Sequence, residues 1–540
     1  MKKNRILKKV LILNLMFCLI GANILACIGA GKISESKVSI PIQNSAFNNH
    51  YSFFTNTCIE KSCIDPPSIL WNKTFGGDGS DVGQKIRKTT DNGFIILGSS
   101  NSFDALGTDF WLLKTNSNGI EEWNYSYGSS LDEFGRDVQQ TTDGGYIIVG
   151  YFFFFHSFDQ GIRLVKTNSN GIEQWSKTFG SEYQPADGFS VYQTTDGGFL
   201  ILGNNWSNNN SLYLIKTDAN GNILWEKNVI SPGYSYDSAK TDDGGFIITG
   251  AAFVGYNVDL SIMKIDTTLN KEWNVTLGGN MYDVGLSVIQ TDDNHYVVAG
   301  CKDASEGLEG GDAWIIKFDS QGHKVWDRTI GSTDTDIGWS VAETYSGYVI
   351  VGTTGSYSTN NYDILIVRTD KLGNVDDIWN FGGDSYEEGY SVVLSSQGDY
   401  VITGYNSFGI YGSSDLWLLK IQGIHDSIPP DCQMIKPREG FFYIRSLELW
   451  PTICGITLII GRITIQIDAT DSDSGIKEVW VIIDGQKHGL AVWNPLNRYY
   501  EYTWDETALG KRFLSFEATD NAGNTKTCVG FPVWYFNIRF

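Results

Sequence analysis

Short apolar runs separated by Gly, Asn and Asp recur along most of this chain. One unit starts with a segment at Gln84–Thr90, turns at Asp91-Asn92-Gly93, and continues as Phe94-Ile95-Ile96-Leu97, closed by Gly98. A third run, Asp109–Lys114, reads DFWLLK, and the turn Asn116-Ser117-Asn118-Gly119 leads to a fourth that carries Trp123. Near-continuous apolar runs bounded by turn residues predict strands buried on both faces. Asn and Gly accept the positive φ that tight hairpin turns need. The unit is therefore expected to be four short antiparallel strands.

The unit repeats. A Trp with a Gly five residues on appears at Trp71/Gly76, Trp123/Gly128, Trp175/Gly180, Trp273/Gly278 and Trp326/Gly331. Another copy keeps Trp225 without the Gly, and the last has Asp377 in the Trp position with Gly382 retained. A four-stranded unit cannot bury both faces alone, whereas seven arranged radially can, so residues 69–423 predict a seven-bladed β-propeller. An open solenoid is the alternative. The region opens with a lone Trp strand (Leu70–Phe75) and ends with DLWLLK (Asp415–Lys420), so residues 69–76 are expected to pair with 415–420 and close the ring.

After a Pro-rich linker at 424–431, the pattern changes. Runs at Thr464–Asp468, Lys477–Ile483, Tyr499–Trp504, Leu514–Ala518 and Thr525–Phe536 predict an Ig-like β-sandwich over 432–540. The fold class is all-β throughout, and the 60 Gly in 540 residues fit many tight turns.

Composition narrows the setting. The net charge of −22 leaves too little Lys and Arg for a nucleic-acid partner, and the 6 His are few for metal or triad chemistry. Residues 1–30 join a cationic start to an apolar run and predict a secretory signal or N-terminal anchor. Three versions stay open: lipidation at Cys27 in Ile24-Leu25-Ala26-Cys27, cleavage near Ala30, or an uncleaved span over Val10–Ala30. Membrane association is expected only there, and the rest should be an exported, extracellular or cell-surface monomer. Residues 31–68 form a linker in which Cys58 and Cys63 are candidates for a local disulfide. Cys432 and Cys528 are candidates to bridge the sandwich. Sequons occur at Asn72, Asn124, Asn205, Asn209 and Asn274.

Two resemblances follow from these motifs. Trp71-Asn72-Lys73-Thr74-Phe75-Gly76-Gly77 and Thr195-Asp196-Gly197-Gly198-Phe199 resemble exported bacterial and archaeal β-propeller repeat proteins. The C-terminal Lys436-Pro437-Arg438-Glu439-Gly440, Ala469-Thr470-Asp471 and Ala518–Asn524 resemble Ig-like modules of microbial surface proteins, which space, display or adhere. Lys114–Trp123 looks more loosely like a quinoprotein dehydrogenase repeat, but the adjacent-cysteine pair of those enzymes is missing and no quinone is expected.

Candidate chemistry gathers on the face that carries the inter-blade connections and the loop after each second strand. Acids recur in the connections, with Asp81, Glu133, Asp283, Asp336 and Glu387 as binding candidates. Paired carboxylates suit glycoside hydrolysis, but their repetition in most blades points to duplication, and no catalytic residue is assigned. The variable loops are aromatic, with Phe103, Phe155, His156, Phe158, Trp206, Tyr256, Tyr357 and Tyr411 as candidates for sugar or protein recognition. The same rings would also serve as packing between blades. No cofactor is predicted; Ca²⁺ is the one ion admitted, with Asp471, Asp473 and Asp520 as candidate ligands or simple turn residues. The expected function is a non-catalytic surface protein that binds glycan or protein. The alternative is an extracellular polysaccharide-active enzyme, a glycosidase or lyase.

Overall fold

A computed structural model describes residues 67–537, apart from short segments at 104–106, 155–158, 183, 207–210, 231–232, 306–307, 359–360, 384, 408–412, 424–429, 452–456, 472–475 and 521–523. The described residues are all-β. In the first blade Asp81–Lys88, Phe94–Ser100, Asp109–Thr115 and Glu121–Tyr127 pair in that order, all antiparallel. Six further four-stranded units repeat this order, with first strands Glu133–Gln140, Ala186–Gln193, Gly233–Lys240, Tyr282–Gln290, Asp336–Glu343 and Glu387–Leu394, the fourth and fifth blades being joined by one parallel bridge between Val258 and Tyr282. The first strands pack against one another around the ring, and that of the seventh blade packs on that of the first. They therefore surround a central channel. In every blade the register shifts by one residue between the first and second strands, as at Gly83/Lys85 and Gly338/Ser340.

The seventh blade takes its outermost strand from the start of the repeat region. Ile69–Phe75 lies antiparallel to Asp415–Ile421, with Trp71 opposite Lys420 and Phe75 opposite Leu416. This closure joins the two ends of the propeller by backbone hydrogen bonds and covers an edge that would otherwise be open.

The recurring Asp-Gly-Gly turn has a second partner. Asp91 Oδ1 accepts from Thr89 Oγ1 (2.5 Å) and the Gly93 amide (2.9 Å), while its Oδ2 lies 2.9 Å from Lys114 Nζ. Lys114 is the buried Lys of DFWLLK. The same ion pair holds Lys166 to Asp143, Lys216 to Asp196, Lys264 to Asp243, Lys317 to Asp293 and Lys420 to Asp399. The later turn is tied to the neighbouring blade. Gly171 adopts φ +79°, and a β-carbon there would sit 2.6 Å from the ring of Trp123 in the preceding blade. Only glycine meets both demands without strain.

The C-terminal region forms two sheets. One orders Asp431–Lys436, Ile463–Thr470, Tyr499–Trp504 and Val492–Asn494; the other is seven-stranded and centred on Ala508–Asp520 and Thr525–Asn537. Alternation in the Ile463–Thr470 strand buries Ile463, Ile465, Ile467 and Ala469. These pack with Val479, Val481, Phe516 and Trp504 in one core, where Trp504 stacks on Tyr535 at 3.8 Å. Cys432 and Cys528 are joined as a disulfide across this sandwich, with Cα atoms 6.0 Å apart.

Candidate functional site

The repeated acids do not form an open ring. Asp81, Glu133, Asp283, Asp336 and Glu387 are all buried at the starts of first strands. Asp81 Oδ2 accepts from the Gly77 amide at 2.8 Å and Ser102 Oγ at 2.6 Å. Asp283 accepts from the amides of Gly279 and Asp303, at 2.7 and 2.9 Å. Glu387 accepts from the Gly383 amide and Asp336 from Thr354 Oγ1. Burial pushes the carboxyls of Glu133, Asp283 and Asp336 up from their ordinary values. Burial at the blade junctions corrects the expectation that these side chains form an exposed face for a glycan or protein.

The aromatic candidates divide. Phe103 leans on Trp111 at 5.3 Å, and Tyr357 packs against the core between the fifth and sixth blades. Trp206 lies 4.6 Å from Tyr234, which meets Phe253 at 5.0 Å, so the third and fourth blades share a ledge of rings. Trp206, Phe253 and Tyr256 are exposed, Tyr256 fully so. Phe155, His156, Phe158 and Tyr411 lie outside the described residues, as do Cys27, Cys58, Cys63, Asn209 and Asp473. Asn72 and Asn274 are exposed; Asn205 is half-buried. Asn124 is held by Trp111 Nε1 (3.2 Å) and itself donates to Glu121 (2.6 Å). Asp520 is buried, and both its carboxylate oxygens accept from Asn524.

The channel carries the groups that break the seven-fold pattern. Toward the end with the Asp-Gly-Gly turns, it widens into a cavity of about 520 Å³ lined by first strands. Equivalent positions just after the register shift there bear Lys85, Asp137, Ser190, Asp237, Ser287, Ser340 and Ser391. Four of them accept a hydrogen bond from another blade's backbone. Asp137 takes the Val191 amide, Asp237 that of Val288, Ser340 that of Val392 and Ser391 that of Ile86. Lys85 instead reaches across the channel to Asp237 at 3.2 Å, and Arg87 binds Asp137 at 2.7 Å. These ion pairs brace the channel.

The residue bulged out at each register shift is Gln84, Arg136, Phe189, Tyr236, Leu286, Trp339 or Tyr390, and of these Phe189 is buried between the third and fourth blades. Rings and apolar chains thus predominate around one guanidinium. Arg136 is exposed and sits over the ring of Tyr151 at 5.1 Å. Burial raises the Asp187 carboxyl, and the Arg136 charge pulls it back down. Burial raises the hydroxyls of Tyr236 and Tyr390, and the same charge offsets a part of that rise. One cation therefore acts on side chains of three other blades. Trp339 and Tyr390 meet edge-on at 5.4 Å, and Tyr405 Oη donates to Glu388 at 3.1 Å beside them. Sequence reasoning placed function in the loops and missed this collar. Aligning the first strands by their shared Gly would have exposed Arg136.

The bacterial Ig domain family matches residues 457–523, within the C-terminal sandwich. The regulatory protein FlaEY of Caulobacter vibrioides is 27% identical over 168 residues, which are 26% of this chain and 17% of that protein. The chain thus spans about a sixth of that relative's length. Among solved structures, the WD40 domain of Neurospora crassa Pan2 is similar at 13% identity and TM-score 0.42, over 64% of this chain and 90% of that one. An extracellular domain assigned to a hybrid two-component system of B. thetaiotaomicron aligns at 11% identity and TM-score 0.38, over 85% and 55%.

Proposed function

We propose that this chain is an exported, non-catalytic binding protein, and that its propeller recognises a glycan or protein segment at the channel mouth around Arg136. The observation that carries this reading is the single guanidinium in a collar otherwise made of rings, apolar chains and one amide. Rings offer flat apolar area, and a guanidinium fixes an anionic group by paired hydrogen bonds. The ledge of Trp206, Tyr234 and Phe253 adds two exposed rings, Trp206 and Phe253, on the third and fourth blades. The signal-like residues 1–30 and the Cys432–Cys528 disulfide support export. The acids that a glycosidase would draw on are buried between blades, which weighs against hydrolysis.

The test is a screen of acidic and neutral oligosaccharides and acidic peptides against the purified exported protein, followed for both binding and product. Saturable binding without product supports the reading. Turnover abolished by Asp187→Asn would replace it with the enzyme alternative.

A further inference from the structure

Two carboxylates from adjacent blades face each other over a glycine at the junction of the fifth and sixth blades. Asp312 begins the third strand of one, and Asp336 begins the first strand of the next. A β-carbon placed on Gly331 would lie 2.3 Å from Asp312 Oδ1 and 2.5 Å from Asp336 Oδ2. Both of those oxygens are buried, and among the described residues neither has a hydrogen-bond partner. Asp336 is wholly buried.

The arrangement recurs. Asp259 Oδ1 and Asp283 Oδ2 flank Gly278 at 2.6 and 2.7 Å, and Asp363 Oδ1 and Glu387 Oε2 flank Gly382 at 2.1 and 2.8 Å. Asp415 and Asp81 flank Gly76 in the same way across the closure of the ring. The Oδ1 atoms of Asp259 and Asp363 are again buried and, among the described residues, without a hydrogen-bond partner. At the two remaining junctions that lack one acid, the other is missing as well. Gly161 and Ala186 occupy these positions between the second and third blades, and Ser211 and Gly233 between the third and fourth. There Ile230 also replaces the glycine. The acids are thus kept or lost in pairs, and the glycine leaves room for them.

Like charges at such range repel strongly in a buried site. The first junction shows what offsets this. Glu133, opposite Asp109, takes the Arg163 guanidinium at 2.9 Å, from a position where the first, fifth and seventh blades have Trp. The protein supplies its own cation there. We infer that the junctions at Gly76, Gly278, Gly331 and Gly382 each take a calcium ion between the facing carboxylates, and that these ions tie successive blades together. Two carboxylates match a divalent charge, and calcium accepts the irregular oxygen geometry that such a site offers. Among the described residues no third acidic, His or Cys side chain completes a cluster, so backbone carbonyls and water supply the other ligands.

The inference is independent of the ligand at the mouth. The experiment is a calcium titration of EDTA-stripped, full-length exported protein, read by calorimetry and by melting temperature. Calcium is expected to raise the melting temperature by ~5 °C or more, since it binds only the folded state. Asp336→Asn should remove about one bound ion per chain. In EDTA this variant should melt no lower than the parent, because a repulsion is gone, and in calcium it should melt lower. Arg163→Gln should add about one ion. Absence of calcium heat together with an unchanged melting temperature overturns the inference. It is also overturned if stability in EDTA falls as pH rises from about 4 to about 7 and calcium does not restore it, because the pairs would then share a proton.

Discussion

Arg368 Nη2 lies 2.5 Å from Asp377 Oδ2, directly across the third and fourth strands of the sixth blade. In the other blades the buried cation is a Lys held by an Asp in the first turn. The sixth blade's first turn, Tyr345-Ser346-Gly347, has no Asp, and the acid has moved to the outermost strand, into the place of the repeat Trp. Both partners are buried, so Asp377→Ala strands a buried guanidinium and should cost about 3 kcal/mol. Asp91→Ala should cost less, about 1 kcal/mol, since Asp91 itself is exposed and the buried Lys114 keeps other partners. Lys114 there keeps Glu122 at 2.7 Å and the Thr115 carbonyl at 3.0 Å. Urea denaturation of the two variants checks the contrast.

The closing strand yields a second prediction. Removing residues through Gly77 would bare the Asp415–Ile421 edge and open the cover over buried Leu416 and Leu418. The melting temperature should fall by roughly 10 °C. A circular-dichroism melt that matches the full chain would show that the closure is dispensable.

The repeat length, the blade strands and the closing pair could all be read from periodicity, because turn residues and apolar runs recur at fixed offsets. The burial of Asp81 and Asp336 could not. It depends on which blade lies beside which, and an acid at a loop boundary looks the same whether it faces solvent or a neighbour. Asp377 read as a broken repeat until Arg368 came to lie opposite it. Arg136 stands inside a regular strand, where no local signal separates a channel-facing residue from one packed between blades. In the sandwich, Thr464–Asp468 was legible from its alternation, whereas Phe441–Ile444 and Thr457–Ile460 were not. Phe441–Ile444 pairs parallel with Thr457–Ile460, which in turn pairs parallel with Thr525–Asn537, far along the chain.

The Cys432–Cys528 bridge closes a loop of 96 residues, nearly the whole sandwich. Replacing both cysteines with Ser should lower the stability of that module by about 3 kcal/mol, while the propeller transition stays in place. Two-transition calorimetry separates the modules.

Acid should loosen the blade turns. Partial burial works to raise the carboxyls of Asp91, Asp143, Asp243 and Asp293, but the Thr hydroxyls and Lys ammonium groups outweigh it and hold them at about 2. Folded values below the unfolded value of 3.8 contribute stability that is fully present above that pH. This contribution is lost as pH falls through about 2. Melting temperatures between pH 5 and pH 2 should therefore decline, and Thr→Val changes at Thr89 and Thr141 should shift the decline to higher pH.

The most direct test of the binding account is the affinity of the best ligand from the screen for the parent protein and for Arg136→Ala, measured by calorimetry at two salt concentrations. Arg136→Ala should weaken binding by about 30-fold and flatten its salt dependence, with only a small fall in melting temperature. Equal affinity in the two proteins would contradict the account and move recognition away from the channel mouth.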